Sequence, residues 1–143
     1  MTMEEKIKAT IEVGYSLMGI QYSWGGNTPI AGFDCSGFIC ELLKAVGLIG
    51  YLEDYSAAGL WNKFQDKVAN IPGPGCLVFW HAKDNVNRIV HVEMCISDEL
   101  SIGCRGGGSK TITCEDAIRD QAYVKVRPFA TKPFILGFLN PFK

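Results

Sequence analysis

Long apolar runs are missing from this sequence. In the opening stretch MTMEEKIKATIEVGYSLMG, charges at Glu4, Glu5, Lys6, Lys8 and Glu12 interrupt every apolar segment. A secretory leader needs a continuous apolar region and a membrane helix needs about 20 apolar residues. Neither is expected, so the reading is a chain made in the cytoplasm without a signal peptide, acting there or wherever other machinery delivers it, with no membrane insertion. An excess of charge of one sign is also missing. Lys plus Arg is 14 and Asp plus Glu is 15, for a net charge of -1. Nucleic-acid binding and a polybasic membrane patch both need a basic face, so neither partner is expected. Histidine is scarce, with only His81 and His91, and no C-x-x-C pair occurs. The ligand spacing of a structural zinc site is therefore absent, and no metal is expected. Six cysteines are present. Without an export signal they are expected to be reduced, most of them acting as small buried hydrophobes.

What is present suits one domain. The 143 residues are enough for a hydrophobic core, and 48% are hydrophobic against 20% charged. No repeat or linker divides the chain, so a single domain over 1–143 is expected. Ile7, Ile11, Tyr15 and Met18 recur at near-helical spacing and predict a first helix ending near Gly19. Residues 20–33 hold Gly25, Gly26, Pro29 and Gly32 and predict a loop. A second helix is predicted from about Asp34–Ser36 to Gly47, with Asp34 or Ser36 as its cap, and a shorter third from Ser56 to about Phe64. Thereafter the period changes. CLVFW (76–80), RIVHVEMCIS (88–97), LSIGC (100–104) and AYVKV (122–126) predict short strands, with one helical turn at CEDAIRD. Helices followed by strands give an α+β class, with helices on one face of an antiparallel sheet.

Two residues stand out chemically. Cys35 sits where the second helix begins, after a run of glycines that lets a substrate approach closely. Free N–H groups at a helix N-terminus stabilise a thiolate and can hold an oxyanion. From position alone Cys35 reads either as a nucleophile or as a core cysteine. His91 lies within a strand between Val90 and Val92, so its ring has one defined face and could serve a thiol as base. For a lone histidine the commoner reading is a core residue with a satisfied hydrogen bond. His81, at a strand end before a polar loop, is expected to be exposed.

The pattern YSWGG, then GFDCSGFI, then PGPGCLVFW, then VHVEMCI resembles the NlpC-type family of papain-like cysteine peptidases, which cut bacterial cell-wall peptides. The resemblance runs from about Tyr15 to Gly108. It implies a papain-like form of the α+β class, a Cys35 nucleophile and a His91 general base. It implies that Tyr22 shapes the oxyanion or substrate subsite, and that Asp34 and Ser36 help recognise the amino end of a stem peptide. No cofactor is implied. The implied substrates are peptidoglycan stem peptides or muropeptides, cut at an amide next to a γ-linked D-glutamyl residue. Two settings fit: a phage or prophage lysis or tail protein, or a cytoplasmic enzyme recycling muropeptides.

The pattern breaks in two places. The family normally carries a third polar residue, often His, on the strand after the base, where it fixes the imidazole tautomer. Hairpin length puts that place at Gly103. Glu93 is the leading substitute. It is two residues from His91 on one strand face, ~6.5–7 Å along the strand, and a glycine across from His91 would leave it room. Cys104, Arg105, a water or a backbone carbonyl are the other choices. Cys76 stands where the family usually has Asp at a strand start, a change that concerns turn capping. CRGGGSK departs from the G-x-x-x-x-G-K-S/T phosphate cradle and is expected to form a flexible rim of the cleft. The competing functions are an amidase or acyltransferase on the same thiol, and a non-catalytic phage or cell-wall module whose site has decayed.

Overall fold

The computed structural model describes residues 1–143. Helix α1 (Met3–Ser16) is capped by Thr2, whose hydroxyl accepts from the Glu5 N–H, and it stops ahead of Gly19. The glycine-rich segment expected to be irregular holds a small antiparallel pair, β1 (Asn27–Thr28) with β2 (Gly32–Phe33). Glycines exclude a helix here but not ladder pairing. The segment closes on itself as the Ser23 N–H donates to Phe33 O and the Asp34 N–H to Gly26 O, each at 2.9 Å.

Helix α2 (Cys35–Ala45) follows at once, with Asp34 as its N-cap. Its apolar residues Phe38, Ile39, Leu42 and Leu43 are fully buried. Burying each such side chain contributes roughly 1.5–3 kcal/mol, so α2 is the central helix of the core. Helix α3 (Ala57–Phe64) is capped by Ser56 and buries Leu60 and Phe64. No helix is long and apolar enough to cross a membrane.

The sheet comprises β3 (Leu77–Ala82), β4 (Asn85–Cys95), β5 (Leu100–Arg105), β6 (Tyr123–Pro128) and β7 (Ile135–Leu139). Their order is β6-β5-β4-β3-β7, every pair antiparallel. Helix α4 (Cys114–Asp120) connects β5 to β6 through a Thr113–Asp116 capping box. The α+β expectation holds: α2 and α3 pack against β4, and α1 against α2. Strand β7 escaped the sequence reading. ILGFL is short, preceded by Pro133 and broken by Gly137, and it becomes a strand by adding to the free edge of β3.

Alternation along the strands divides the interior in two. Leu77, Phe79, Val92, Met94 and Ile102 join the helices in the larger cluster. Val78, Trp80 and Cys95 join Phe129 in a smaller one on the other side of the sheet. One irregularity sits beside His91. Trp80 faces His91, but His81 faces Ile89, so Val90 is an extra residue in β4. Such a bulge bends a strand and re-aims the side chains next to it. Here it turns Val90 outward while Ile89 packs against the larger cluster, opposite to what strict alternation from Val92 predicts.

Candidate active site

Cys35 is the first residue of α2 and is half-buried. Its placement is set by close backbone packing. Asp34 Oδ1 accepts the Gly37 N–H at 2.6 Å and lies 3.3 Å from the Ser36 hydroxyl that donates to it. A side chain at Gly37 would overlap the carbonyl oxygen of Gly26. Glycine is therefore required for the helix start to lie against the loop. Of the two expected caps Asp34 is the one realised, Ser36 lying within the first turn with its hydroxyl on the Asp34 carboxylate, and both also face the cleft. Burial, opposed by the bonds from Gly37 and Ser36, leaves the Asp34 carboxyl above its ordinary pKa.

His91 projects from β4 toward Cys35, near enough that the thiol bears on the protonation of the ring. One ring nitrogen is taken: Nε2–H donates to Glu93 Oε2 at 2.6 Å. That leaves Nδ1 for the thiol. Burial pulls the His91 pKa down, but the bonds to Cys35 and Glu93 outweigh it and hold the ring up at about 9. The Trp80 ring, 5.1 Å from the imidazole between centroids, packs beside it.

Glu93 is 1% exposed. Burial raises a carboxyl pKa, yet His91 and Arg105 together hold this one well below the usual carboxylate range. Oε2 accepts from Arg105 Nε at 2.8 Å, and Oε1 from Ser101 Oγ at 2.8 Å and Arg105 Nη2 at 3.2 Å. One expectation needs correction. The register Met94↔Ile102 continues to set Gly103 beside Glu93, not across from His91. A Cβ at Gly103 would overlap the Glu93 side chain. The missing side chain does make room for Glu93, but from directly alongside it.

Tyr22 is 5% exposed, lies in the larger cluster and also lines the cleft. Burial, then the nearby Cys35, pushes its phenol pKa up, so the hydroxyl stays a donor. The cleft encloses about 700 Å³ between Tyr22, Trp24 and Cys35 on one side and Ala57, Arg88 and Ile89 on the other. Ser109 of the glycine-rich segment completes the wall, and Gly107 lies against the Tyr22 ring. A side recess of about 220 Å³ shares Asp34, Ser36 and Ser56 with the cleft and adds Asp54. His81 is half-buried, its Nδ1 bonded to Ala82 O at 2.8 Å and its ring against Phe134. Cys76 is buried in the smaller cluster, and its turn closes through its own N–H donating to Gly73 O at 3.0 Å. Cys40, Cys95 and Cys104 are also buried, and Cys114 is exposed.

Sequence reasoning missed Ser101 as part of the site and left Arg105 as one choice among several. A signal was present. On β5, Ser101, Gly103 and Arg105 alternate with Ile102 and Cys104, so a buried strand has one face free of apolar side chains.

The model of the NlpC/P60 family matches residues 19–127. A stretch of 65 residues is 38% identical to the probable peptidoglycan endopeptidase LytE of Bacillus subtilis, covering 46% of this chain and 18% of LytE. Among solved structures, an NlpC/P60 family protein of Bacillus cereus superposes with a TM-score of 0.72 at 22% identity, over 96% of this chain and 40% of the other. The P60 domain of an antigen of Mycobacterium avium subspecies paratuberculosis gives 0.66 at 22% identity, over 99% and 98%. The peptidoglycan hydrolase RipB of Mycobacterium tuberculosis gives 0.68 at 19% identity, over 96% and 65%. The chain thus spans less than half the length of LytE and of the Bacillus cereus protein. The fold is the papain-like one of these structures. With the family model covering most of its length, the chain belongs to the NlpC/P60 family.

Proposed function

We propose that this chain, acting as a single catalytic domain, hydrolyses amide bonds of peptidoglycan stem peptides through Cys35 and His91. The observation that carries the reading is the arrangement around one imidazole. Its Nε2 is fixed by a buried carboxylate 2.6 Å away, and Cys35, at the first turn of α2, is near enough to bear on its protonation. In the proposed reaction the His91 ring takes the thiol proton and the thiolate attacks the amide carbonyl carbon. First-turn N–H groups of α2 and the Tyr22 hydroxyl face the developing oxyanion. The C–N bond breaks as His91 returns the proton to the leaving amine. Water, deprotonated by His91, then attacks the thioester and frees the acid and Cys35. Glu93 holds the Nε2–H in both the neutral and the protonated ring, so that Nδ1 carries the proton exchanged.

The substrate class rests on family membership and on relatives that are a probable peptidoglycan endopeptidase and a peptidoglycan hydrolase. The recess beside Cys35 supports it chemically. Two carboxylates, Asp34 and Asp54, share it with Ser36 and Ser56, which suits the cationic amino end of a stem peptide. The bond cut is then the amide after a γ-linked D-glutamyl residue. Purified sacculi and free stem peptides are incubated with wild type and with Cys35→Ala, and the released ends are identified by mass. New amino ends within the peptide, absent with Cys35→Ala, are expected. Release of whole stem peptides from the glycan would instead make the chain an amidase, and no release from either substrate would sink hydrolysis.

A further inference from the structure

We propose that Arg105 is a positioning residue, which locks Glu93 onto His91 from the neighbouring strand and so aims the imidazole at Cys35. The inference rests on the cysteine-hydrolase reading above. It begins from a problem of freedom. Glu93 has three rotatable side-chain bonds, and a single hydrogen bond to His91 would leave its carboxylate able to turn away. A buried carboxylate without a counter-charge is also strongly disfavoured.

Arg105 answers both needs. It binds Glu93 through two nitrogens, Nε to Oε2 at 2.8 Å and Nη2 to Oε1 at 3.2 Å. A planar guanidinium gripping both oxygens fixes the carboxylate in place and in plane. Its own side chain is only 13% exposed. Its guanidinium lies 5.8 Å over the Trp80 ring, the same ring that packs against His91. Trp80 is anchored in turn by its Nε1–H donating to Lys132 O at 3.0 Å. Arg105, Trp80 and His91 therefore surround Glu93 as one packed unit. Gly103 leaves the space between Ser101 and Arg105 that Glu93 fills.

Charge gives this arrangement a testable sign. The charged groups reaching the cluster are Glu93 of β4, Arg105 of β5 and Lys125 of β6, and the Cys35 thiol of α2 faces it as well. The neighbouring thiols Cys95 and Cys104 are held neutral, their pKa values pushed up chiefly by burial. The Arg105 charge opposes protonation of His91, and the Glu93 charge favours it. Were Arg105 only a neighbouring charge, its loss would raise the His91 midpoint; because it holds Glu93 in place, its loss takes the closer Glu93 charge away from the ring and lowers the midpoint.

The test follows the two histidine ring resonances by NMR between pH 4 and 11, with His81 as internal control, in wild type, Arg105→Gln, Arg105→Lys and Glu93→Gln. Melting curves and hydrolysis of stem peptides accompany each. Arg105→Gln and Glu93→Gln are both expected to move the His91 midpoint down, each by on the order of one pH unit, while His81 stays put. Arg105→Gln should lower kcat by about tenfold or more with little change in KM. Arg105→Lys keeps the charge but loses the two-point grip. Its midpoint and kcat should lie between those of wild type and Arg105→Gln. A midpoint that rises or stays in Arg105→Gln, or a kcat equal to that of wild type, overturns the proposal. If Arg105→Gln does not fold, Arg105→Lys decides: a lowered midpoint with reduced kcat supports it, and a wild-type midpoint or kcat overturns it. If wild type cuts no stem peptide, the substrate assignment fails and the direction of the midpoint shift still decides the role of Arg105.

Discussion

The two halves of the site are built by different means. On the nucleophile side, backbone meets backbone: the start of α2 lies against the loop at Gly26, with Gly37 at the contact and Asp34 closing the first turn. On the base side, side chains meet side chains: Glu93, Arg105, Ser101 and Trp80 hold one imidazole between two strands. A contact made by backbone cannot relax when a methyl group is added, because the carbonyl is held by its own ladder. A contact made by a side chain can swing aside, and the structure then survives while the geometry does not.

This contrast predicts opposite outcomes for the same substitution. Gly37→Ala places a methyl group against the Gly26 carbonyl, which is fixed by the Asp34 N–H. It should cost about 3 kcal/mol or more and be seen as lost soluble protein or a steep fall in the denaturation midpoint. Gly103→Ala meets the Glu93 side chain instead. It should cost ~1–3 kcal/mol but lower turnover by on the order of a hundredfold, because Glu93 leaves His91 misplaced. A Gly37→Ala protein as stable as wild type, or a fully active Gly103→Ala, would erase the distinction.

A smaller effect separates the halves by pH. The Glu93 carboxyl is held low in the folded state, so its contribution to stability is present above its unfolded pKa of about 4.3 and is lost as pH falls below it. The His91 ring is raised to about 9, so its contribution is complete below its unfolded pKa of about 6.5 and is lost as pH rises toward 9. The pair should therefore stabilise the fold most between about pH 4.5 and 6.5. Melting temperature measured across pH should show this window in wild type and a flatter profile in Glu93→Gln. The smallest effect expected is that of Asp34→Ala, about 1 kcal/mol from the lost N-cap. Its melting curve checks this, and the loss of stability on the alkaline side of the window should stay as in wild type, since His91 and Glu93 are untouched.

The nucleophile side was legible because its signals are local. Asp34 as N-cap, the helix from Cys35 and the apolar run through Leu43 are all encoded within a few residues of one another. Glu93 was legible as a candidate because residues two apart share a strand face. Its partners were not, since pairing of β4 with β5 depends on a register that neither strand states alone. The reading that set Gly103 across from His91 was misplaced for this reason, and the same cause hid β7, which is a strand only against β3.

The sequence by itself determined the α+β class, the helix start at Cys35, the placing of His91 on a strand and the absence of any side chain at position 103. These follow from capping, period and residue type, which act over a few residues. Tertiary structure alone decided that Gly103 lies beside Glu93, that Arg105 grips both carboxylate oxygens and that Val90 bulges out next to His91. Those facts depend on how strands far apart in the chain align. That alignment is chosen by the burial of both faces of the sheet together, not by the preferences of any one segment.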